Sequence, residues 1–317
     1  MIRPSTNDPN PRPEVRQGLE RLRYCVSLVL SIVLAVCSFA PPSIVAKGET
    51  ESAEGTSATV LVYHRFGPVV ADSMTVRTSV FASELQFLHD NGYTVVAIQE
   101  IVNFLTGHGD LPPRAVAITA DDGHRSVFTD MKPLIEKYKI PVTLFIYPSA
   151  ISNASYAMTW EQLEELKATG LFDIQSHTYW HPNFRVEKGR LSATDYQKFV
   201  QFQLEQSRDV LEQRFHTQVE LLAWPFGIYD DELMATARKT GYLAGFTIER
   251  RKVSRKDNVM AIPRFIVSDS DVGKAFEQLL KQDPGRGTSP ERGIGRIDSG
   301  TWKGMAIRWL SLICGII

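Results

Sequence analysis

Between residues 58 and 270, short apolar runs alternate with segments whose apolar residues recur at helical spacing. The runs 58–64 (ATVLVYH) and 115–119 (AVAIT) are short and rich in β-branched residues, which favours strands. In 81–89 (FASELQFLH), the apolar residues stand three and four positions apart, which favours a helix. Because strands alternate with helices, we predict βαβ units around a parallel sheet, and about seven such units suit a barrel or incomplete barrel.

The same reading predicts the remaining elements. Strands are expected at 58–64, 94–98, 115–119, 141–147, 172–176, 219–224, 243–248 and 261–267. Helices are expected at 81–89, 99–105, 129–139, 159–170, 193–215 and 231–240. Thr159 and Gln162 have the spacing of a capping box, and Gly170 suits the end of that helix.

The amino-terminal residues have the pattern of an export segment. Residues 1–23 are polar and basic, 24–40 form an apolar run, and a polar linker follows at 47–57. We predict that 1–46 is a signal peptide cleaved near Ala46, or a retained membrane anchor, so that the protein is exported to the periplasm, cell surface or medium.

After the predicted catalytic domain at 58–281, the tail 282–317 changes character. It is loop-like at first and ends in a short apolar stretch that Arg308 interrupts. This composition is expected for a poorly ordered tail or, as the alternative, for a helix lying on a membrane surface.

Charge and cysteine content narrow the chemistry. The formal net charge is −1, and no basic stripe is interleaved with aromatic residues, so a nucleic-acid partner is not expected. The three cysteines are Cys25, Cys37 and Cys314. The segment 38–313 therefore has no cysteine for an internal disulfide or a metal, and a metal site there must use His, Asp or Glu.

Polar residues stand at the ends of several predicted strands. His64 ends the first strand, Asp121 and Asp122 follow 115–119, and His177 follows 172–176. In a parallel α/β barrel the active site forms at the carboxyl ends of the strands. We therefore expect these residues to meet on one face of the barrel.

Two short motifs suggest a metal site. His177 and His181, four residues apart, can share one ion, although on their own they are better explained as two ordinary loop histidines. Asp121 and Asp122 repel each other, so one could be a metal ligand and the other a general base on water. Asp-Asp-Gly also suits a surface turn, but its place directly after an apolar strand favours an active-site loop.

Together the motifs resemble a known family. TADDG at 119–123, HTYWH at 177–181 and WPFG at 224–227 resemble three sequential motifs of the polysaccharide deacetylases, the NodB-homology enzymes of carbohydrate esterase family 4. The resemblance covers about residues 58–270. It implies a single catalytic domain with a distorted (β/α)7-type barrel that removes acetyl groups from acetylated polysaccharides. It also implies a divalent metal on Asp122, His177 and His181, with Asp121 as the base.

Some positions depart from the family pattern. Ala120 replaces a usual Phe, Ala223 stands where many members have the Arg that holds the base, and the late strand IPRFIV lacks a usual His. Arg264 is therefore the candidate for orienting Asp121, and His64 is the candidate for the proton donor. The opening VLVYHRFG, together with the WPFG motif and the Pro-Arg of the last strand, resembles the exported poly-β-1,6-N-acetylglucosamine deacetylases of biofilm systems.

The predicted substrate contacts are Trp224, Phe226 and Tyr147. Aromatic faces suit sugar rings, but core packing explains the two motif aromatics equally well. His₂Asp ligation suits zinc first, and also cobalt, nickel or iron. The alternatives to an exopolysaccharide substrate are peptidoglycan, chitin oligomers or acetylxylan, and a glycan-binding protein without turnover is the non-enzymatic alternative.

Overall fold

A computed structural model describes residues 57–282. The predicted signal or anchor, nearly all of the predicted linker and the tail from residue 283 lie outside the described residues. Within 57–282, no helix has both the length and the apolar character needed to cross a bilayer.

The described residues form eleven strands and eight α-helices. The strands are β1 Ser57–Tyr63, β2 Arg65–Gly67, β3 Thr75–Arg77, β4 Thr94–Val95, β5 Ala115–Asp121, β6 Val142–Ile146, β7 Phe172–Ser176, β8 Leu221–Ala223, β9 Ala244–Phe246, β10 Val253–Ser254 and β11 Phe265–Ile266. The helices are α1 Thr78–Asp90, α2 Ile98–Leu105, α3 Lys132–Tyr138, α4 Trp160–Ala168, α5 Phe184–Arg190, α6 Ala193–Phe215, α7 Asp231–Thr240 and α8 Lys274–Lys281.

A curled parallel sheet organises the domain. Strands β1, β5, β6, β7, β8 and β9 lie side by side in that order, and each neighbouring pair is parallel. On its other side β1 pairs in parallel with β11, and a single bridge joins Phe246 of β9 to Ile262. The two ends of the row therefore approach each other, and the predicted distorted (β/α)7-type barrel in a single domain is confirmed.

Alternation along the strands separates two layers of core. Val60, Ala117 and Phe145 belong to a cluster that also includes residues of β8 and β9, namely Leu221, Ala223, Ala244 and Phe246. Their neighbours Leu61 and Ile118 belong to a larger cluster between the sheet and the surrounding helices. Successive side chains of a strand point to opposite faces, so Asp121 shares one face of the sheet with Ala117.

Several predicted boundaries change for identifiable reasons. The predicted strand 94–98 is limited to Thr94–Val95, because Ala97 caps α2 and its N–H donates to Glu100 at 3.1 Å. The predicted strand 261–267 is limited to Phe265–Ile266, since Pro263 has no N–H for a ladder.

The predicted helix 129–139 corresponds to α3 and to a π-helical turn, Val127–Met131, which begins two residues before the predicted start. Pro133 lies in the first turn of α3, where its missing N–H is tolerated. The capping box of α4 is confirmed, because Thr159 Oγ1 accepts from Gln162 N at 3.2 Å and Gln162 Oε1 accepts from Thr159 N at 3.0 Å. Strands β2, β3 and β10 and helices α5 and α8 were not predicted.

Candidate active site

The motif loops lie at the carboxyl ends of the parallel strands and are conformationally constrained. Asp122, Thr178, His181 and Phe226 all have positive φ, between 56° and 71°. Such a backbone costs an L-residue on the order of 1–3 kcal/mol and is retained only where surrounding contacts enforce it. Four of the eight non-glycine residues with positive φ among the described residues lie in the three motifs, which is typical of a functional site.

Asp122, His177 and His181 converge on one point. Asp122 Oδ1 lies 3.6 Å from His177 Nε2 and 3.7 Å from His181 Nε2. Two ligand atoms about 2.1 Å from one ion at a tetrahedral angle would be roughly 3.4 Å apart, so the three residues are spaced as ligands of a single metal. Asp122 Oδ1 is buried and has no hydrogen-bond partner within the described part of the chain, as expected for an atom reserved for a cation.

Both imidazoles are prepared to act as neutral ligands. His177 Nδ1 lies 2.8 Å from the carbonyl oxygen of Ala223, which can only accept, so Nδ1 carries the proton and Nε2 offers its lone pair to the site. Burial, with the neighbouring His181, lowers the pKa of His177 to about 4. Burial also lowers the pKa of His181 to about 4, and His64 adds to the effect. Both rings are therefore neutral at pH 7, and the set fits a divalent ion.

Arg264 holds Asp121 from inside the barrel. Its Nη1 donates to Asp121 Oδ1 at 2.8 Å and its Nη2 to Oδ2 at 2.7 Å, and both residues are buried. Burial alone would raise the pKa of Asp121, but the charge of Arg264, and at acidic pH that of protonated His177, outweigh burial and lower the pKa to about 2. Asp121 is therefore a carboxylate at neutral pH, with Oδ2 3.8 Å from His177 Nε2.

His64 also belongs to this site. It follows β1 directly and interacts electrostatically with both Asp121 and His181. Its Nδ1 is buried without a hydrogen-bond partner among residues 57–282. Because Tyr63 of β1 pairs with Ala120 of β5, His64 and Asp121 are the next residues along these two neighbouring strands, which makes His64 the candidate proton donor.

The three predicted substrate contacts differ in how far the structure exposes them to solvent. Phe226 is 38% exposed, and its ring centroid lies 4.6 Å from that of His181. Tyr147 is almost buried, with its ring 5.4 Å from that of His181, and its hydroxyl is hydrogen-bonded to the hydroxyl of Tyr156. The prediction for Trp224 is wrong: its side chain is 0% exposed and Nε1 donates to the Met260 carbonyl at 2.8 Å, so it is a core residue that no sugar can reach.

One residue that the sequence did not reveal is Gln203 of α6. Its backbone carbonyl accepts from Tyr179 N at 3.0 Å, and its side-chain Oε1 accepts from Trp180 N at 3.1 Å. Gln203 is fully buried and shares the buried face of α6 with Val200 and Leu204. It therefore anchors the HTYWH loop, and a glutamine at an apolar position of an amphipathic helix was the available signal.

A second unpredicted feature is the loop 147–158, which braces both ligand-bearing loops. Met158 N donates to the Gly123 carbonyl at 2.9 Å, and Ser149 N donates to the Tyr179 carbonyl at 3.1 Å. Gly123 itself has φ 70°, and a Cβ there would lie 3.0 Å from Ile151 Cδ1. These contacts are non-local and mostly involve backbone atoms, so they cannot be predicted from the pattern of residue types.

The site contains one carboxylate and two neutral imidazoles around a single point, with a second, ionised carboxylate beside them. At the carboxyl end of a parallel barrel, this arrangement is typical of a hydrolase. Comparison with known proteins agrees. Residues 108–245 match the family model described as polysaccharide deacetylase. The chain is 30% identical over 222 residues to Bacillus subtilis YxkH, a relative classed with the polysaccharide deacetylases, and this match covers 70% of this chain and 75% of YxkH.

Two further relatives extend the comparison. The chain is 27% identical over 249 residues to the poly-β-1,6-N-acetyl-D-glucosamine N-deacetylase of Staphylococcus epidermidis, covering 72% of this chain and 84% of that enzyme. The fold of this chain is similar to that of the Streptococcus pyogenes deacetylase PplD, with a TM-score of 0.64 at 20% identity over 71% of this chain and 98% of PplD. The chain belongs to the polysaccharide deacetylase family, and the predicted class of enzyme is confirmed.

Proposed function

We propose that this chain is a divalent-metal-dependent N-deacetylase of poly-β-1,6-N-acetyl-D-glucosamine. The observation that carries the proposal is the position of Asp122, His177 and His181 beside the Asp121–Arg264 pair. The substrate is supported by the Staphylococcus epidermidis relative, whose name specifies that glycan.

The ligand set suits zinc first, and cobalt, nickel or iron as alternatives. A divalent ion held by Asp122, His177 and His181 would acidify a water molecule and polarise the acetyl carbonyl. The low pKa of Asp121 supports the need for a metal ion. A carboxylate with a pKa of about 2 is too weak a base to take a proton from ordinary water, whose pKa is about 15.7.

In the proposed reaction, Asp121 accepts a proton from the water that attacks the acetyl carbon. A C–O bond forms, the amide C–N bond breaks, and the products are acetate and the free amine of the sugar. Arg264 keeps both oxygens of Asp121 in a fixed orientation, which limits the loss of alignment during the proton transfer. His64 delivers the proton that the leaving nitrogen requires, since it follows Tyr63 at the end of β1 just as Asp121 follows the paired Ala120 in β5.

The alternatives make different demands on the same site. A glycan-binding protein without turnover has no use for an ionised carboxylate locked beside a possible metal triad, so the intact set of four residues favours an enzyme. Peptidoglycan, chitin oligomers and acetylxylan carry the same acetyl chemistry in other linkages, and only the substrate itself separates them.

The test is acetate release from the purified chain, with metal analysis of the same sample. We expect about one divalent ion per chain, and faster release from β-1,6-linked than from β-1,4-linked N-acetylglucosamine oligomers. Asp122→Ala should lose both the ion and acetate release. Asp121→Asn should keep the ion and lose acetate release by at least about 100-fold, the usual size of general-base catalysis.

Two outcomes of these experiments would contradict the proposal. Release that persists in Asp122→Ala would remove the metal from the mechanism. Release from β-1,4-linked but not β-1,6-linked oligomers would transfer the activity to chitin-like or peptidoglycan substrates.

We also propose that the enzyme is exported, with membrane attachment through its amino-terminal segment as the alternative to cleavage. The basic stretch 1–23 followed by the apolar run 24–40 supports this. Amino-terminal sequencing of the protein from fractionated cells tests it: a mature start near Ala46 indicates cleavage, an intact start in the membrane fraction indicates an anchor, and an intact cytoplasmic protein would refute export.

A further inference from the structure

Two exposed aromatic side chains accompany the ligand His181. Phe226 packs against its ring, and Trp180 directly precedes it in the chain. Each is 38% exposed. The other tryptophan of the motif loops, Trp224, is 0% exposed, so the structure separates one indole that supports the core from one that faces solvent.

Trp180 is held rigidly although it is exposed. Its ring meets Phe199 of α6 edge-on, with centroids 5.8 Å apart and planes at 72°, and Phe199 is backed by Phe184 at 6.3 Å. Its backbone N–H is bound by Gln203 Oε1. Thr178 and His181, on either side, have positive φ, so the loop has little freedom to move the indole elsewhere.

A fixed, partly exposed indole beside a polysaccharide-binding site can contact a sugar ring of the substrate. Aromatic faces pack well against the C–H faces of sugar rings, so an indole that is held in one orientation and partly exposed is suited to contact a glycan. Phe226 is placed against the ligand His181 and so against the sugar unit that reacts. Trp180, one residue along the chain from that ligand, offers a second surface within the length of a connected glycan.

We infer that Trp180 is a platform for a second sugar ring of the substrate, next to the unit that loses its acetyl group. This inference rests on the proposed function and deepens it, because it makes the enzyme selective for a chain of N-acetylhexosamines over a single acetylated unit. Trp180 is a substrate-binding residue in this account and takes no part in the chemical step.

The test compares two substrates that differ in the second ring. One is a hexamer of β-1,6-linked N-acetylglucosamine, and the other is a small aryl acetate ester, which reports the chemistry alone. In Trp180→Ala, the ratio of kcat/KM for the hexamer to kcat/KM for the ester should fall about tenfold, which corresponds to about 1.4 kcal/mol of transition-state stabilisation. Trp180→Phe, which keeps an aromatic face, should recover part of this ratio.

Leu243→Ala is the matched control. Leu243 is 52% exposed and precedes β9, at the end of the strands opposite the site, so the same kind of surface is lost without touching the substrate. We expect its hexamer-to-ester ratio to equal that of the wild type. Metal content measured on Trp180→Ala shows whether the ligand loop is intact.

A direct binding measurement completes the design. In the inactive Asp121→Asn background, calorimetry with the hexamer should give a Kd about tenfold higher when Trp180 is also replaced by alanine. An equal loss on ester and hexamer, or no change in either ratio or Kd, would overturn the inference while leaving the proposed function intact. Wild-type enzyme that hydrolyses the ester but releases no acetate from the hexamer and does not bind it would overturn both.

Discussion

The guanidinium of Arg264 grips both carboxylate oxygens of Asp121 at 2.8 and 2.7 Å, in a pair that is buried from solvent. Arg264 is further held by the Thr247 carbonyl at 3.0 Å and by Thr119 Oγ1 at 3.2 Å. An arginine from the segment before β11 thus fixes the orientation of the Asp121 carboxylate, and the backbone carbonyl of Ala223 accepts a hydrogen bond from His177.

Arg264→Met should damage both catalysis and folding. It leaves a carboxylate buried without its partner, which typically destabilises a protein by about 3–5 kcal/mol. Arg264→Lys, which keeps the charge but loses the two-pronged geometry, should fold better and still lose kcat with little change in KM. Urea unfolding and acetate-release kinetics measure the two effects.

Arg214→Met is the control for that experiment, since Arg214 of α6 pairs with Glu164 of α4 at 2.8 Å, with 38% and 47% of the two side chains exposed. Breaking this pair should cost less than about 1 kcal/mol and leave kcat unchanged. If Arg264→Lys retained the wild-type kcat, bidentate orientation of Asp121 would not matter to the reaction.

The hydroxyl pair of Tyr147 and Tyr156 should influence the site although neither hydroxyl touches a predicted ligand. Tyr156 fixes the Tyr147 ring against His181, and its own ring is stacked on His124 with planes at 9°. Tyr156→Phe removes this support, and we expect metal affinity or kcat to fall by about tenfold, as for other outer partners of metal ligands.

Metal titration of the apoprotein and acetate release measure this change. Tyr138→Phe is the matched control: it removes a hydroxyl that donates to Gln86 at 2.8 Å on the outer helices. Equal behaviour of the two variants would show that the Tyr147–Tyr156 contact has no role in the site.

Local signals in the sequence predicted much of the fold and the convergence of the site. Helices α6 and α7 begin and end at their predicted residues, because their apolar spacing is unambiguous and Ser192 and Asp230 cap them. Strand ends followed by polar motifs correctly predicted that Asp121, Asp122 and His177 would meet. This works because the carboxyl ends of parallel strands share one edge.

Non-local contacts explain what the sequence could not show. Strands β2 and β3 are three residues each and pair only with one another, so they lack an apolar pattern. Whether a motif aromatic faces sugar or core depends on the strand that packs over it. Trp224 lies beneath the segment around Met260, and a Cβ on Gly245 would lie 2.6 Å from its Nε1.

Trp224→Phe should therefore affect stability and leave substrate binding unchanged. The smaller ring leaves the Met260 carbonyl without its donor and opens a cavity, which together should cost about 2–4 kcal/mol. Thermal unfolding should show the loss, while KM for the glycan at a temperature where the variant is folded should match the wild type. A raised KM with unaltered stability would return Trp224 to the substrate site.

Glu84 is a buried carboxyl that the proposed reaction does not use. It lies in α1, is 1% exposed, and its Oε2 accepts from the Tyr63 hydroxyl at 2.9 Å. Its Oε1 has no hydrogen-bond partner in the part of the chain that the structure describes. Asp271 and Asp269 interact with it electrostatically, and these are themselves paired with Arg250 and Arg77.

This carboxyl should make the enzyme less stable as the pH rises. Burial raises the pKa of Glu84 to about 9, with Asp271 and Asp269 adding to the effect and the Tyr63 hydrogen bond opposing it. Between about pH 4.3, the ordinary pKa of a glutamate in the unfolded state, and about pH 9, the folded state therefore holds a proton that the unfolded state has released. The free energy of unfolding falls as the pH rises through this window, by up to about 1.4 kcal/mol per pH unit. Glu84→Gln, which can still accept from Tyr63, should unfold at higher urea concentration than the wild type at pH 8 and match it near pH 4. Parallel stability curves for the two proteins between pH 5 and pH 8, a range chosen to lie inside the expected window, would show that Glu84 is ionised in the folded state.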